Sequence, residues 1–283
     1  MSTKESDVET VCSGVRYSNA HRTGKGILLT AVGSGEVHIL SEGSTEPELV
    51  ARTNGQPAGV AMDSTGRIYI ADAAMRAVTQ VTEDGNKEFV KEYEGKTFCG
   101  PNSLAFGPDG SMYFTDSGPL GETTLQNSSG SCFCITMLPK GDEGEQILKP
   151  LVHECLAHPS GIAVSPEGKN IYVSEMLCNR VLRLFEYPAG VWQTSVYYQF
   201  SGKVGPSGLA CGSDGTLYVG RFEPSTCALP GAVGIVSVIS PNGTIVRDIV
   251  VPGPSVEGVA LSDDETCLYV SEASTKCVYK VAL

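Results

Sequence analysis

Two side chains combine a reactive type with a recurring position: Asn102 in Pro101-Asn102-Ser103-Leu104-Ala105, and Glu257 in Val256-Glu257-Gly258-Val259-Ala260. A carboxylate held in a partly desolvated channel has its pKa raised toward neutrality and works as a general acid or base. A carboxamide orients a substrate carbonyl or coordinates a hard cation through its oxygen. Both residues stand just before the small residue of a segment that recurs as Pro57-Ala58-Gly59-Val60-Ala61, Pro159-Ser160-Gly161-Ile162-Ala163 and Pro206-Ser207-Gly208-Leu209-Ala210, with a weaker first copy in Ser13-Gly14-Val15-Arg16. Aligned, the position reads Ser13, Ala58, Asn102, Ser160, Ser207 and Glu257. Asn102 and Glu257 are therefore the candidate catalytic pair, and Ser160, Ser207 and His158 are candidates for substrate contact. Each has a plainer reading beside it: Glu257 as a solvated acid at a loop end, Asn102 as an amide that satisfies turn backbone.

These residues share a site only if the repeat brings them together. Each copy leads through a turn into a second apolar run, such as Tyr69-Ile70-Ala71-Asp72, Tyr113-Phe114-Thr115-Asp116, Tyr172-Val173-Ser174-Glu175 and Tyr269-Val270-Ser271-Glu272. The second copy divides into four short strands, Gly59 to Met62, Ile68 to Asp72, Ala77 to Thr82 and Glu88 to Tyr93. Asp63-Ser64-Thr65-Gly66 and Glu83-Asp84-Gly85-Asn86 serve as its turns. Short strands repeating at a period of roughly 44 to 58 residues predict one all-β domain over 1–283, a six-bladed β-propeller with four antiparallel strands per blade. The innermost strand of each blade lines the central channel, so the aligned position becomes a ring on one axis. The last copy is one strand short, and an unpaired edge invites aggregation. About Asp7 to Cys12 is predicted to supply the missing outer strand and close the ring. Insertions at Gly118 to Ser131 and Glu223 to Gly231 are candidates to lid a channel mouth. The acids Asp72, Asp116, Glu175 and Glu272 end equivalent strands, and that repetition marks them as scaffold.

Composition narrows the partners. A net charge of −12 without any basic run argues against nucleic acid and anionic membranes. The polar start, Met1 to Asp7, lacks the apolar core of a signal peptide, so a cytoplasmic location is expected and the ten cysteines are read as thiols. Cys211, Cys267 and Cys277 occupy strand positions suited to small buried groups, and Cys132 and Cys134 lie on one face of a strand without a second pair at zinc spacing.

The stretches from Pro101 to Ser117 and from His158 to Glu175, continuing through Asn179-Arg180-Val181-Leu182-Arg183, resemble the gluconolactonase and senescence-marker (calcium-dependent phosphotriesterase) superfamily and the strictosidine synthase-like propellers. The resemblance implies a six-bladed propeller and a small-molecule substrate at its central channel. The lactonase branch implies a divalent cation, calcium, on the axis. Asn102 matches its middle-blade Asn, while Ser13, Ser160 and Ser207 stand where a Glu, an Asn and an Asp belong. The strictosidine synthase branch places its catalytic glutamate at the start of the sixth-blade inner strand, and Glu257 is the matching position. Two functions follow. One is a hydrolase or lyase, lactonase or esterase chemistry being favoured over strictosidine synthase-like condensation, with Glu257 as general acid/base and Asn102 orienting substrate or a weakly held metal. The other is a non-catalytic, NHL-like propeller whose insertion loops contact a protein partner.

Overall fold

The computed structural model describes residues 7–137 and 146–283, which form six four-stranded antiparallel sheets. Blade 1 contains Asn19–Thr23, Gly26–Ala31, Glu36–Ser41 and Glu48–Arg52. Blade 2 contains Pro57–Met62, Ile68–Asp72, Ala77–Thr82 and Gly85–Val90. Blade 3 contains Pro101–Phe106, Met112–Asp116, Gly130–Met137 and Gln146–Leu156, and blade 4 contains Pro159–Val164, Asn170–Glu175, Arg180–Glu186 and Trp192–Gln199. Blade 5 contains Gly205–Cys211, Leu217–Phe222, Gly234–Ile239 and Ile245–Val251. Blade 6 takes Val256–Leu261, Cys267–Glu272 and Cys277–Ala282 from the C-terminal part, and its outer strand is Val8–Ser13. That closing strand runs antiparallel to Cys277–Ala282, from Val8 opposite Val281 to Ser13 opposite Cys277. Val11 and Cys12 are buried among Tyr269, Val278 and Ile27, so closure joins the last blade's core to the first.

The inner strands of neighbouring blades touch in a closed cycle, blade 1 against blades 2 and 6. The approach explains the recurring glycine. A Cβ on Gly161 would lie 2.1 Å from the Ser207 carbonyl oxygen, and one on Gly208 would lie 2.7 Å from that of Glu257. A Cβ on Gly258 would lie 2.8 Å from the Cα of Asn19, so blade 1 fills its place in the ring with Ser18 and Asn19. Ser13 is not on the axis: it ends the outer strand of blade 6. The match of Ser13-Gly14 to the other copies misleads because Gly14, at φ 95°, serves the turn that follows the closing strand rather than a close inner-strand contact.

The outer strand of blade 2 runs from Gly85 to Val90, not from Glu88 to Tyr93. Thr82 pairs with Gly85, which tightens the turn to Glu83-Asp84 and starts the outer strand at Gly85. Glu92–Tyr93 instead forms a short hairpin with Lys96–Thr97.

The recurring acids are anchors. Asp72 accepts from the backbone N–H of Gln56 at 2.9 Å, Asp116 from Gly100 at 2.7 Å, Glu175 from Ala157 at 2.9 Å and Glu272 from Ser255 at 2.7 Å. Every one of these donors lies in the segment that leads into the inner strand of the same blade, so each acid fixes where that strand starts. Blade 5 reverses the polarity. Arg221 donates to the carbonyls of Ser201 at 2.8 Å and Gly202 at 3.2 Å, and its guanidinium stacks over Phe200 at 4.2 Å.

All ten cysteines are free thiols. Cys12, Cys132 and Cys134 are buried, whereas Cys211, Cys267 and Cys277, each the terminal residue of its strand, are only half-buried.

Candidate active site at the channel mouth

One end of the channel opens into a cavity of about 280 Å³ that contains Ser18, Ala58, Asn102, Ser160, Ser207 and Glu257, the six ring positions. Blade order sets Asn102 on blade 3 across the axis from Glu257 on blade 6. His158 and Met176 of blade 4 complete one side, and Gly118, Pro119 and Leu120 of the first insertion form part of the rim. The second insertion, residues 223–231, does not line the cavity; Phe222 just before it does. The opposite end of the channel holds a separate cavity of about 300 Å³ lined by His21, Arg22 and a collar of apolar residues. Arg22 is tied there to Glu265 at 3.2 Å.

Glu257 is the acid of the mouth, and its side chain is 12% exposed. Its Oε1 pairs with the guanidinium of Arg16, while Oε2 is buried without a hydrogen-bond partner among the described residues. Burial pushes this carboxyl above its ordinary value; the hydrogen bond and charge of Arg16 pull it down, and the charge of Glu272 adds to the upward push. Burial wins because Arg16 reaches only one oxygen of the carboxylate.

The other named residues are held by the inserted loop and by neighbouring strands. Asn102 Nδ2 donates to Ser117 Oγ at 3.1 Å, and Ser117 Oγ donates onward to the Gly118 carbonyl at 2.9 Å. Thr123, fully buried, donates to the Ser117 carbonyl at 2.9 Å and accepts from the backbone N–H of His158 at 3.1 Å. The insertion thus fixes Asn102 and His158 together. His158 has a left-handed φ of 53° and is 4% exposed, and its Nδ1 has no partner among the described residues. Burial pushes its imidazole down to about 4, so it is neutral at physiological pH. The hydroxyls of Ser160 and Ser207 donate to the carbonyls of Pro206 at 3.3 Å and Val256 at 2.7 Å, each on the next inner strand. Their protons brace the ring, which leaves the oxygen lone pairs as the part a ligand can reach.

A calcium ion on this axis is not matched by these donors. Calcium takes about six to eight oxygens, usually with several carboxylates. The ring offers one carboxylate already paired with Arg16, three hydroxyls engaged with backbone, and one amide. No group of three or more His, Cys, Asp or Glu suited to a metal occurs among the described residues.

Arg16, Ser18, Ser117 and Thr123 escaped the sequence reading. Arg16 does carry a signal, as a cation just upstream of the strand Asn19–Thr23 that must enter the ring.

The sequence profile described as the SMP-30/gluconolactonase/LRE-like region matches residues 20–274. A gluconolactonase of Zymomonas mobilis is 32% identical over 123 residues, covering 41% of this chain and 32% of that protein. Lactonase drp35 of Staphylococcus saprophyticus is 26% identical over 242 residues, covering 82% of this chain and 68% of that one. The chain therefore spans about a third of the first relative and two thirds of the second. Among solved structures, a gluconolactonase of Xanthomonas campestris superposes with a TM-score of 0.79 at 17% identity, covering 98% of this chain and 90% of that one. A regucalcin of Agrobacterium tumefaciens, described as a calcium-binding protein, gives 0.76 at 17% identity, with coverage of 98% and 94%. Likeness at that identity establishes the shared fold alone. With the profile extending from the inner strand of blade 1 into the last blade, the chain belongs to the SMP-30/gluconolactonase/LRE-like family.

Proposed function

We propose that this protein hydrolyses a small lactone or a related ester at the channel mouth, with Glu257 as the general base. The observation that carries the reading is the state of Glu257: a carboxylate on the axis, held by one oxygen, with the other oxygen unpartnered and its pKa raised by burial. Such a group removes a proton from water at moderate pH. Asn102, across the axis and fixed by Ser117, orients the carbonyl of the substrate. His158 is neutral and shapes the wall rather than carrying charge. The lactonase names of the relatives support the substrate class.

Aldonolactones and aryl esters are the substrates to assay. Glu257→Gln keeps the size of the side chain and is expected to lower kcat/KM by about a hundredfold or more, within the range for lost general-base catalysis. The acid limb of the wild-type pH profile should lie above the ordinary carboxylate range, since the base must be ionised to act. Hydrolysis untouched by Glu257→Gln would remove this mechanism.

The scaffold reading draws on one observation. Leu125 and Leu229, one on each insertion, are exposed at 62% and 81%. A pull-down in which neutral polar substitutions at both positions leave every partner bound would dispose of it.

A further inference from the structure

Adding water to a carbonyl builds negative charge on its oxygen, and a site accelerates the step only if donors already face that oxygen. Most side-chain donors of the six ring positions are engaged. Ser160 and Ser207 donate to the next inner strand, Ser18 faces the Ala58 carbonyl at 3.3 Å, and one N–H of Asn102 goes to Ser117. Arg16 is different. Its guanidinium has five N–H groups, its hydrogen bond among the described residues is from Nη2 to Glu257, and its side chain is 59% exposed where it borders the cavity. Apart from it, Glu257 is the one formally charged residue of the cavity lining among the described residues, as His158 is neutral.

The chain also holds Arg16 in place from both sides. The preceding turn is tied by the Gly14 N–H to the Lys276 carbonyl at 2.9 Å. Tyr17 beside it is 3% exposed, packs edge-on against His38 and belongs to the core of the closing seam. Ser18 is bound to Thr30 at 3.0 Å. Arg16 thus projects from a short, doubly anchored connection, so little freedom is lost when it meets a ligand.

Building on the hydrolase reading above, we propose that Arg16 is the electrophile of this site: it donates to the oxyanion formed when water adds to the carbonyl, and it makes the mouth a receptor for the small hydroxy-carboxylates that the reaction releases. In the first step Glu257 Oε2 takes a proton from water, the water oxygen bonds to the carbonyl carbon, and the carbonyl electron pair moves onto oxygen beside Arg16. In the second step the carbonyl reforms, the bond from carbon to the ring oxygen breaks, and that oxygen receives the proton from Glu257. The resulting acid loses one proton to solvent, and no redox partner is needed. The same guanidinium offsets part of the upward push that burial gives Glu257 before the reaction begins; Glu272, on the strand beside it, is the other charged group acting on Glu257.

The test uses the full chain with a chelator present, and gluconate and glucose as probes. Wild type should bind gluconate and not the neutral sugar. Arg16→Gln should weaken gluconate binding at least tenfold, with Arg16→Lys in between because it keeps the charge and loses the fork. With gluconolactone, Arg16→Gln should lower kcat/KM by about 10²–10³, the loss typical of an oxyanion donor, and move the acid limb to higher pH as Glu257 loses its cation. Melting temperatures show that each variant is folded. Gluconate binding that survives Arg16→Gln unchanged would overturn the proposal, as would hydrolysis that requires added calcium. Hydrolysis by wild type that persists in Arg16→Gln would retire Arg16 and keep the hydrolase. Arg16-dependent gluconate binding without any lactone hydrolysis would retire the hydrolase and the electrophilic role, and keep only the receptor.

Discussion

Replacing Gly161 by Ala adds one methyl group where the propeller has no room for it. The new carbon would sit 2.1 Å from the Ser207 carbonyl oxygen, 2.9 Å from the Leu209 nitrogen and 3.0 Å from the Gly208 Cα. All three atoms are backbone, so no side chain can rotate away. To reach ordinary contact the inner strands of blades 4 and 5 must part by more than about 1 Å, and strands packed in a closed ring pass that displacement to their neighbours. Overpacking of this kind costs about 1–3 kcal/mol, occasionally more, and the purely backbone contacts place Gly161→Ala at the upper end, about 3 kcal/mol. At about 2–4 °C per kcal/mol for a domain of this size class, melting should fall by about 6–12 °C. Gly24→Ala is the control, since nothing lies within 4 Å of its added carbon. Thermal denaturation of the two variants beside wild type, followed by far-ultraviolet circular dichroism, makes the comparison. Because Gly161 also borders the mouth, the same variant should weaken ligand binding. Gly161→Ala melting with Gly24→Ala and wild type would show that the inner strands do not pack as closely as described.

Two further outcomes are expected. Removing residues 1–13 strips the outer strand from blade 6 and uncovers Tyr269 and Val278, so the truncated chain should melt several degrees lower and aggregate through its free edge; unchanged melting and solubility would refute closure by this strand. His158 titrates at about 4 in the fold against an ordinary value of about 6.5, so the stability it contributes is complete above pH 6.5 and is lost as pH falls through 4. His158→Asn, which tolerates the left-handed backbone at φ 53°, should flatten urea-derived stability between pH 6.5 and 4 relative to wild type; parallel curves would show that His158 is not buried in neutral form.

The blades were legible because their turns and apolar runs are local signals, repeated with little variation. Even closure could be anticipated, since a missing strand at one end and an unassigned segment at the other have one economical solution. The ring was legible at five positions for a related reason: the glycine of Gly59, Gly161, Gly208 and Gly258 reports a close backbone approach, and Ser103 keeps the register in blade 3. Blade 1 lacks that marker. Its inner strand begins at Asn19, and the nearby Ser13-Gly14 imitates the motif while belonging to another blade. Arg221, which stands in blade 5 where blades 2, 3, 4 and 6 carry an acid, takes its meaning from carbonyls of a turn that sequence does not place.

The partners of Glu257 and Asn102 were hidden because they come from connections, not from the repeat. Ser117 and Thr123 lie at the start of an insertion and inside it, and they act through single hydrogen bonds whose geometry no periodicity encodes. Arg16 reaches Glu257 across 241 positions of chain, and the contact exists only because the closing strand brings the start of the chain to the last blade. Closure and charge are therefore one feature. The strand that seals the propeller also delivers a cation to its axis, at a ring whose serine hydroxyls are turned toward backbone. A variant that loosens the seam without touching the mouth, Val11→Ala in the core beside Tyr17, should accordingly lower gluconate affinity as well as melting temperature. If it lowered melting alone, the position of Arg16 would be set by its own short connection and not by the strand that closes the ring.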